Sequence, residues 1–161
     1  MIDTGEYEDL ARETGAFQDI ELDILKDAFG AWRKNPGDPY TVLELRDGKV
    51  LAGFAVTCRK ASTDYSFDVR ALCVDPSYIG KGVTARILDM LEEELLKTQP
   101  SAILRIEIST VKETAIGNGV LVERGYALIG HIPDFYEVGD DYFMYAKHLR
   151  RAVAEEEKER R

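Results

Sequence analysis

Apolar residues recur with two different spacings along this chain, and the switches between them mark out its elements. Residues 6–12 and 19–32 follow helical spacing. In the second segment Ile20, Leu22, Ile24, Leu25, Phe29 and Trp32 form an apolar stripe, and acidic residues crowd its start, where the helix dipole favours negative charge. Thr14-Gly15 breaks the two helices apart, and dense turn chemistry at 35–39 ends the second. Strand patterns follow at 40–46, 49–59 and 65–74, joined by Asp47-Gly48 and a polar loop at 60–64, which predicts three consecutive antiparallel neighbours. A helix then places Val83, Ile87, Leu88, Leu91 and Leu95 on one side, with Glu92, Glu93, Glu94 and Lys97 largely opposite, and stops at Gln99-Pro100. Residues 101–109 read as a strand rich in isoleucine; a helical crossover makes it parallel to 65–74. A weaker helix at 113–124 contains Gly117 and Gly119, each costing about 1 kcal/mol relative to alanine. Residues 126–132 and 142–148 predict a closing antiparallel pair around a loop at 133–141. The charged stretch 150–161 reads as a solvated or frayed helix.

Composition narrows the classes. A chain of 161 residues, 45% of them hydrophobic, suits one domain, taken as 1–149 with the charged tail 150–161 beyond it. A formal charge of -9 argues against a nucleic-acid partner. The apolar runs are too short to span a bilayer, so no membrane partner is expected. The acidic start, without the basic and apolar regions of a signal peptide, leads us to expect a cytoplasmic protein. Cys58 and Cys73 sit inside strand-like apolar runs, which suits reduced, buried thiols. His131 and His148 lie at strand positions without metal-ligand spacing, so no metal is expected.

Chemistry enters at Gly80 and Gly82, in a loop that hands the strand ending at Val74 to the helix starting near Val83. The first turn of a helix carries N–H groups without intrahelical partners and the positive end of the dipole, and glycines let an anion come close. The run Val74-Asp75-Pro76, Ile79-Gly80-Lys81-Gly82-Val83-Thr84 resembles motif A of the GNAT superfamily of N-acetyltransferases. Glu123-Arg124-Gly125-Tyr126 resembles the family's helix end before its sixth strand, and 132–141 a closing loop of one bacterial and archaeal subgroup. The resemblance spans roughly residues 5–149. It implies a mixed α/β fold: a mostly antiparallel sheet of six to seven strands, six being the safer count, with helices on both faces. It also implies a V-shaped splay between the family's fourth and fifth strands, here 65–74 and 101–109.

The resemblance further implies acetyl-CoA as acyl donor. Its pyrophosphate would lie on the backbone of Gly80, Lys81, Gly82, Val83 and Thr84, and its pantetheine arm along the main chain of Leu72, Cys73 and Val74, with Asn118 a further cofactor contact. The Thr84 hydroxyl could add a phosphate donor or serve only the helix terminus. Three departures stand out: Ile79 replaces the motif's Arg or Gln, Thr84 stands at its last small position in place of Gly or Ala, and Leu121 occupies the place of a tyrosine that protonates the leaving thiolate in many members.

For a general base, Glu107 interrupts an apolar strand, and burial there would suit it to proton transfer; its position resembles a glutamate used by members that modify protein N-termini. The bland alternative pairs it with Arg105 or turns it to solvent. Asp68 is the second candidate, with Arg70 as its possible structural partner. Tyr136 is a candidate substrate contact or stand-in acid, or else a packing aromatic. Phe17, Phe29 and Trp32 could line an acceptor pocket or lie in the core. The implied function is acetyl transfer to a primary amine of a small molecule, peptide or protein, on a scaffold where homodimers are common. The competing function is a CoA-binding regulatory or interaction domain with weak or no catalysis.

Overall fold

Two amphipathic helices come first, α1 (Gly5–Glu13) and α2 (Asp19–Lys34), followed by the meander β1 (Tyr40–Asp47), β2 (Val50–Arg59) and β3 (Ser66–Val74). A 3₁₀ turn, Pro76–Tyr78, leads through the glycine loop into α3 (Val83–Thr98), then β4 (Ser101–Ser109), α4 (Thr110–Ile116), α5 (Val120–Glu123), β5 (Ala127–Glu137) and β6 (Asp140–Arg150). The computed structural model describes residues 3–152, so most of the expected tail helix at 150–161 lies outside the described residues, and Arg150 belongs to β6.

The strands form one six-stranded sheet in the order β1-β2-β3-β4-β6-β5, antiparallel except for the parallel pair β3 and β4. Among the described residues no strand precedes α1. Alternation along the strands divides the core between the two faces. Phe54, Val56, Ala71 and Cys73 pack with Tyr7, Leu10, Leu25 and Phe29 of α1 and α2. Leu72, Val74, Leu104, Ile106 and Ile108 pack with Ile87, Leu88, Leu91 and Leu95 of α3. Among the described residues no helix is long and apolar enough to cross a membrane.

Two expected boundaries change. The single helix at 113–124 is two short ones, because Gly117 and Gly119 adopt φ of +105° and +82°, outside the helical range, and turn the chain between α4 and α5. The expected loop at 133–141 is mostly strand: β5 runs on to Glu137, and β6 begins at Asp140. A bulge after Ile132 and a turn closed by Gly139 N–H donating to the Asp134 carboxylate (2.7 Å) let the hairpin absorb Pro133.

Gly53 sets the height of α3 over the sheet. A Cβ at that position would lie 2.7 Å from the Cys73 carbonyl oxygen and 2.8 Å from Ile87 Cδ1, so only a glycine lets the first turns of α3 settle against β2 and β3. The N-terminus of α3 is thereby held beside the end of β3.

Candidate active site

The parallel ladder between β3 and β4 is short. It pairs Ser66 with Ile103 through Val69 with Ile106; beyond that point β3 continues to Val74 and β4 to Ser109 without pairing to each other. The two strands diverge, and the main chain of Leu72, Cys73 and Val74 lies on the open side of this splay. Their side chains turn into the core, Leu72 and Val74 toward α3 and Cys73 toward α1 and α2. Burial pushes the Cys73 thiol well up, so it remains a neutral core group.

At the end of β3 the Asp75 carboxylate accepts from Ser77 N–H (2.8 Å) and starts the 3₁₀ turn. Gly80 and Gly82 follow with φ of +81° and +80°, and a Cβ on either would meet nothing within 4 Å. The space above the loop is therefore open to an anion. Among the described residues the N–H groups of Gly80, Gly82, Val83 and Thr84 have no protein acceptor, and the first helical bond runs from Arg86 N–H to the Gly82 carbonyl. The Lys81 N–H differs, because it donates to the Tyr78 carbonyl (3.1 Å), while its ammonium rests over the Tyr78 ring. The Thr84 hydroxyl is also committed. It is buried and donates to the Ile116 carbonyl (2.7 Å), tying α3 to the end of α4.

A groove of about 430 Å³ runs from this loop along the splay, between Val74, Pro76 and Ile79 on one side and Thr110, Val111, Thr114 and Ala115 of α4 on the other. Ile79, which replaces a polar residue of the motif, thus forms apolar wall. Asn118 stands exposed beyond Thr114, whose hydroxyl lies 3.3 Å from the Asn118 side-chain oxygen. Leu121, by contrast, is 1% exposed in the core and faces no groove.

On the other side of the splay lie the candidate acid and base residues. Glu107 is the first residue of β4 past its last pairing with β3, and it is exposed, which is the solvent-facing alternative and not the burial that would suit it to proton transfer. It lines a small cavity at the apex with Val69, Arg70, Phe17 and Lys112. Asp68, 9% exposed, accepts two hydrogen bonds from the Arg105 guanidinium (2.8 and 2.9 Å), and Lys60 stands 3.4 Å away. Burial alone would push the Asp68 carboxyl up, but Arg105 and Lys60 outweigh it and hold it below its ordinary value. Arg105 therefore belongs to Asp68, and Glu107 is left to the cavity.

Tyr136 lies on the hairpin and borders a second cavity of about 390 Å³ with Phe17, Gln18, Glu21 and Lys112. Burial first, and then the nearby carboxylates of Glu107 and Glu21, push its phenol up, so it keeps its proton at neutral pH. The same holds for Tyr142, raised by burial and by Glu107. Tyr142 pairs with Ser109 across β4 and β6, which sets it on the same sheet face as Glu107, two positions along. The sequence carried no signal for this neighbour, since the pairing joins segments far apart in the chain. Glu21 and Lys112, equally unanticipated, form an ion pair between α2 and α4, with the Lys112 ammonium also over Phe17. Of the three candidate pocket aromatics, Phe17 lines the cavities and Phe29 is core. Trp32 is half-buried away from them. His131 stacks on Phe143 and bonds Asp141 (2.7 Å), a contact within the hairpin, and His148 is exposed on β6. Among the described residues no cluster of three or more His, Cys, Asp or Glu is placed to hold a metal.

Open N–H donors, two glycines facing free space, a groove and an unpaired strand end together fit an extended ligand with a phosphate at one end. No family model matches the chain. A protein of Mycobacterium leprae (strain TN) is 33% identical over 102 residues, covering 62% of this chain; the chain spans 27% of that relative's length. Solved structures extend the likeness over nearly the whole chain. A GNAT-family protein of Desulfovibrio desulfuricans matches with a TM-score of 0.77 at 19% identity, over 90% of this chain and 91% of its own. The aminoglycoside 6'-N-acetyltransferase of Enterococcus faecium matches at 0.68 and 14%, over 91% and 90% of the two chains. The yncA protein of Salmonella typhimurium, solved with its cofactor acetyl-CoA, matches at 0.67 and 17%, over 93% and 88%. The splayed six-stranded sheet with its glycine loop at the head of α3 is the GNAT acetyltransferase fold.

Proposed function

We propose that the protein is an acyl-CoA-dependent N-acyltransferase that moves an acetyl group from acetyl-CoA to a primary amine. The observation that carries this reading is the coincidence of the two halves of a bisubstrate site at one splay. The anion cradle and groove open on one side of β3 and β4, and an acid–base cluster stands on the other. Solved neighbours of the same fold include one that holds acetyl-CoA and one that acetylates aminoglycosides, which supports both donor and acceptor class.

The residues that would hold the donor are Gly80, Gly82, Val83 and Thr84 through their N–H groups, and Leu72, Cys73 and Val74 through the edge of β3 that β4 leaves unpaired. Asn118 and the Lys81 ammonium are further candidate contacts for it. Acetyl-CoA supplies a thioester, so that one C–S bond is exchanged for one C–N bond and the sulfur leaves as a thiolate. Glu107 is the base in this reading. Its carboxylate accepts the proton an ammonium must lose before its nitrogen has a lone pair, directly or through water. Asp68 is too firmly held by Arg105 and Lys60 to share that work, and it serves to fix the β3–β4 apex. The phenols of Tyr136 and Tyr142, both kept protonated, are the available proton sources for the thiolate in place of the missing residue at 121. Holding both reactants side by side contributes further to the rate.

Release of free thiol from acetyl-CoA, followed over time with a panel of primary amines, tests the reading. Amine-dependent release supports it. Saturable acetyl-CoA binding with no release for any amine would instead favour a CoA-binding domain that has lost catalysis.

A further inference from the structure

One cation beside Glu107 has no place in the acyl-transfer scheme. Arg70 is exposed, and among the described residues it has no ion-pair partner, whereas its basic neighbours are all engaged: Arg59 with Asp38, Arg105 with Asp68, Lys112 with Glu21. Its placement is built into the sheet. Between β2 and β3 the register shifts from Val56 opposite Ala71 to Thr57 opposite Val69, leaving Arg70 as the extra residue of a bulge. The bulge reverses the alternation of β3. Asp68 faces the α2 side before it and Ala71 faces that side after it, so Arg70 is turned toward α2 as well.

Arg70 borders two cavities. The smaller, about 40 Å³ at the apex of the splay, sets it beside Glu107. The larger, about 360 Å³, has apolar walls of Phe17, Ile24, Leu25, Ala28 and Tyr40, with the Glu21–Lys112 ion pair at its edge. An uncommitted guanidinium next to a proposed base, with a largely apolar chamber adjoining the guanidinium, matches the three parts of an amino acid. Resting on the acyltransferase reading, we propose that the acceptor is a free amino acid with an apolar side chain. Its carboxylate would lie on Arg70, its ammonium toward Glu107 and its side chain in the chamber. A guanidinium presents a planar fork that suits a carboxylate. A polyamine or aminoglycoside would bring further cations against Arg70, and a peptide N-terminus would offer it an amide without charge.

Calorimetry of the CoA-bound protein with leucine and with leucinamide, which differ only at the carboxylate, tests the site without requiring turnover. Leucine is expected to bind about tenfold to a hundredfold tighter than the amide, the worth of one charge-assisted contact. Arg70→Met should erase that preference and Arg70→Lys should restore part of it. Equal binding of the two ligands by the wild-type protein, or a preference that survives Arg70→Met, overturns the proposal; the wild-type comparison stands even if a variant fails to fold. Thiol release separates this inference from its parent. Leucine that binds with the expected preference, with no thiol release for leucine or any other amine of the panel, defeats the acyltransferase reading and leaves the carboxylate site standing. Acetylation of amines regardless of a carboxylate does the reverse.

Discussion

The proposed donor and acceptor sides of the splay are made of different materials. On the proposed donor side the candidate groups are backbone: N–H donors of Gly80, Gly82, Val83 and Thr84, and the edge of β3 that β4 leaves unpaired. Side chains there only shape the main chain or wall the groove, which is why Ile79 and a buried Thr84 are compatible with it. On the proposed acceptor side the candidate groups are side chains. Glu107, Arg70, Tyr136, Tyr142, Glu21 and Lys112 arrive from α2, β3, β4, α4 and the β5–β6 hairpin. A backbone site survives most substitutions and carries little specificity. A side-chain site carries nearly all of the specificity and is sensitive to each residue.

That contrast is best broken first at Gly82. Its φ of +80° and the open space above it make Gly82→Trp both strained and obstructive, and acetyl-CoA affinity should fall by at least about a hundredfold in a calorimetric titration. Glu107→Gln strikes the other side. Its kcat should drop by about a hundredfold while acetyl-CoA binding persists, a split visible in steady-state rates set beside titrations. Normal turnover in this variant would remove Glu107 as the base.

Smaller effects sharpen the comparison by testing the framework under each side. Gly53→Ala should destabilise by about 1–3 kcal/mol in denaturant unfolding, because the added methyl meets the Cys73 carbonyl oxygen. The same change should weaken acetyl-CoA binding by lifting α3. Asp68→Asn should cost about 1–2 kcal/mol at neutral pH through the lost bonds to Arg105. The Asp68 carboxyl is held below its ordinary value in the fold, so its stabilisation is complete above the unfolded value of about 4 and fades as the pH falls through the folded one. Unfolding curves of the wild-type and Asp68→Asn proteins should therefore converge on acidification. A constant gap down to pH 2 would show that the pair contributes packing instead of charge.

Local patterns were readable where they are locally enforced. Apolar spacing marked every strand and long helix, and 101–109 matches β4 residue for residue. The misread segments are those where backbone geometry or long-range pairing overrode the pattern. Gly117 and Gly119 split a helix by their left-handed torsions. The segment with Pro133 joined a strand because β6 offered it an edge. At the site, Glu107 was legible as a charge inside an apolar strand. Arg70 carries the same kind of signal, yet the local pattern offers it only Asp68 as a partner, since nothing in the spacing announces a bulge.

By itself the sequence determined the order of elements and the glycine loop, because helix periodicity, strand alternation and the torsional freedom of glycine act within a few residues. The tertiary structure alone decided which groups that loop leaves free. It committed the Lys81 N–H and the Thr84 hydroxyl to internal bonds, gave Arg105 to Asp68, and brought Arg70, Glu107 and Tyr142 to one apex. The physical reason is that such assignments depend on register and bulges between segments remote in the chain, which no local pattern encodes.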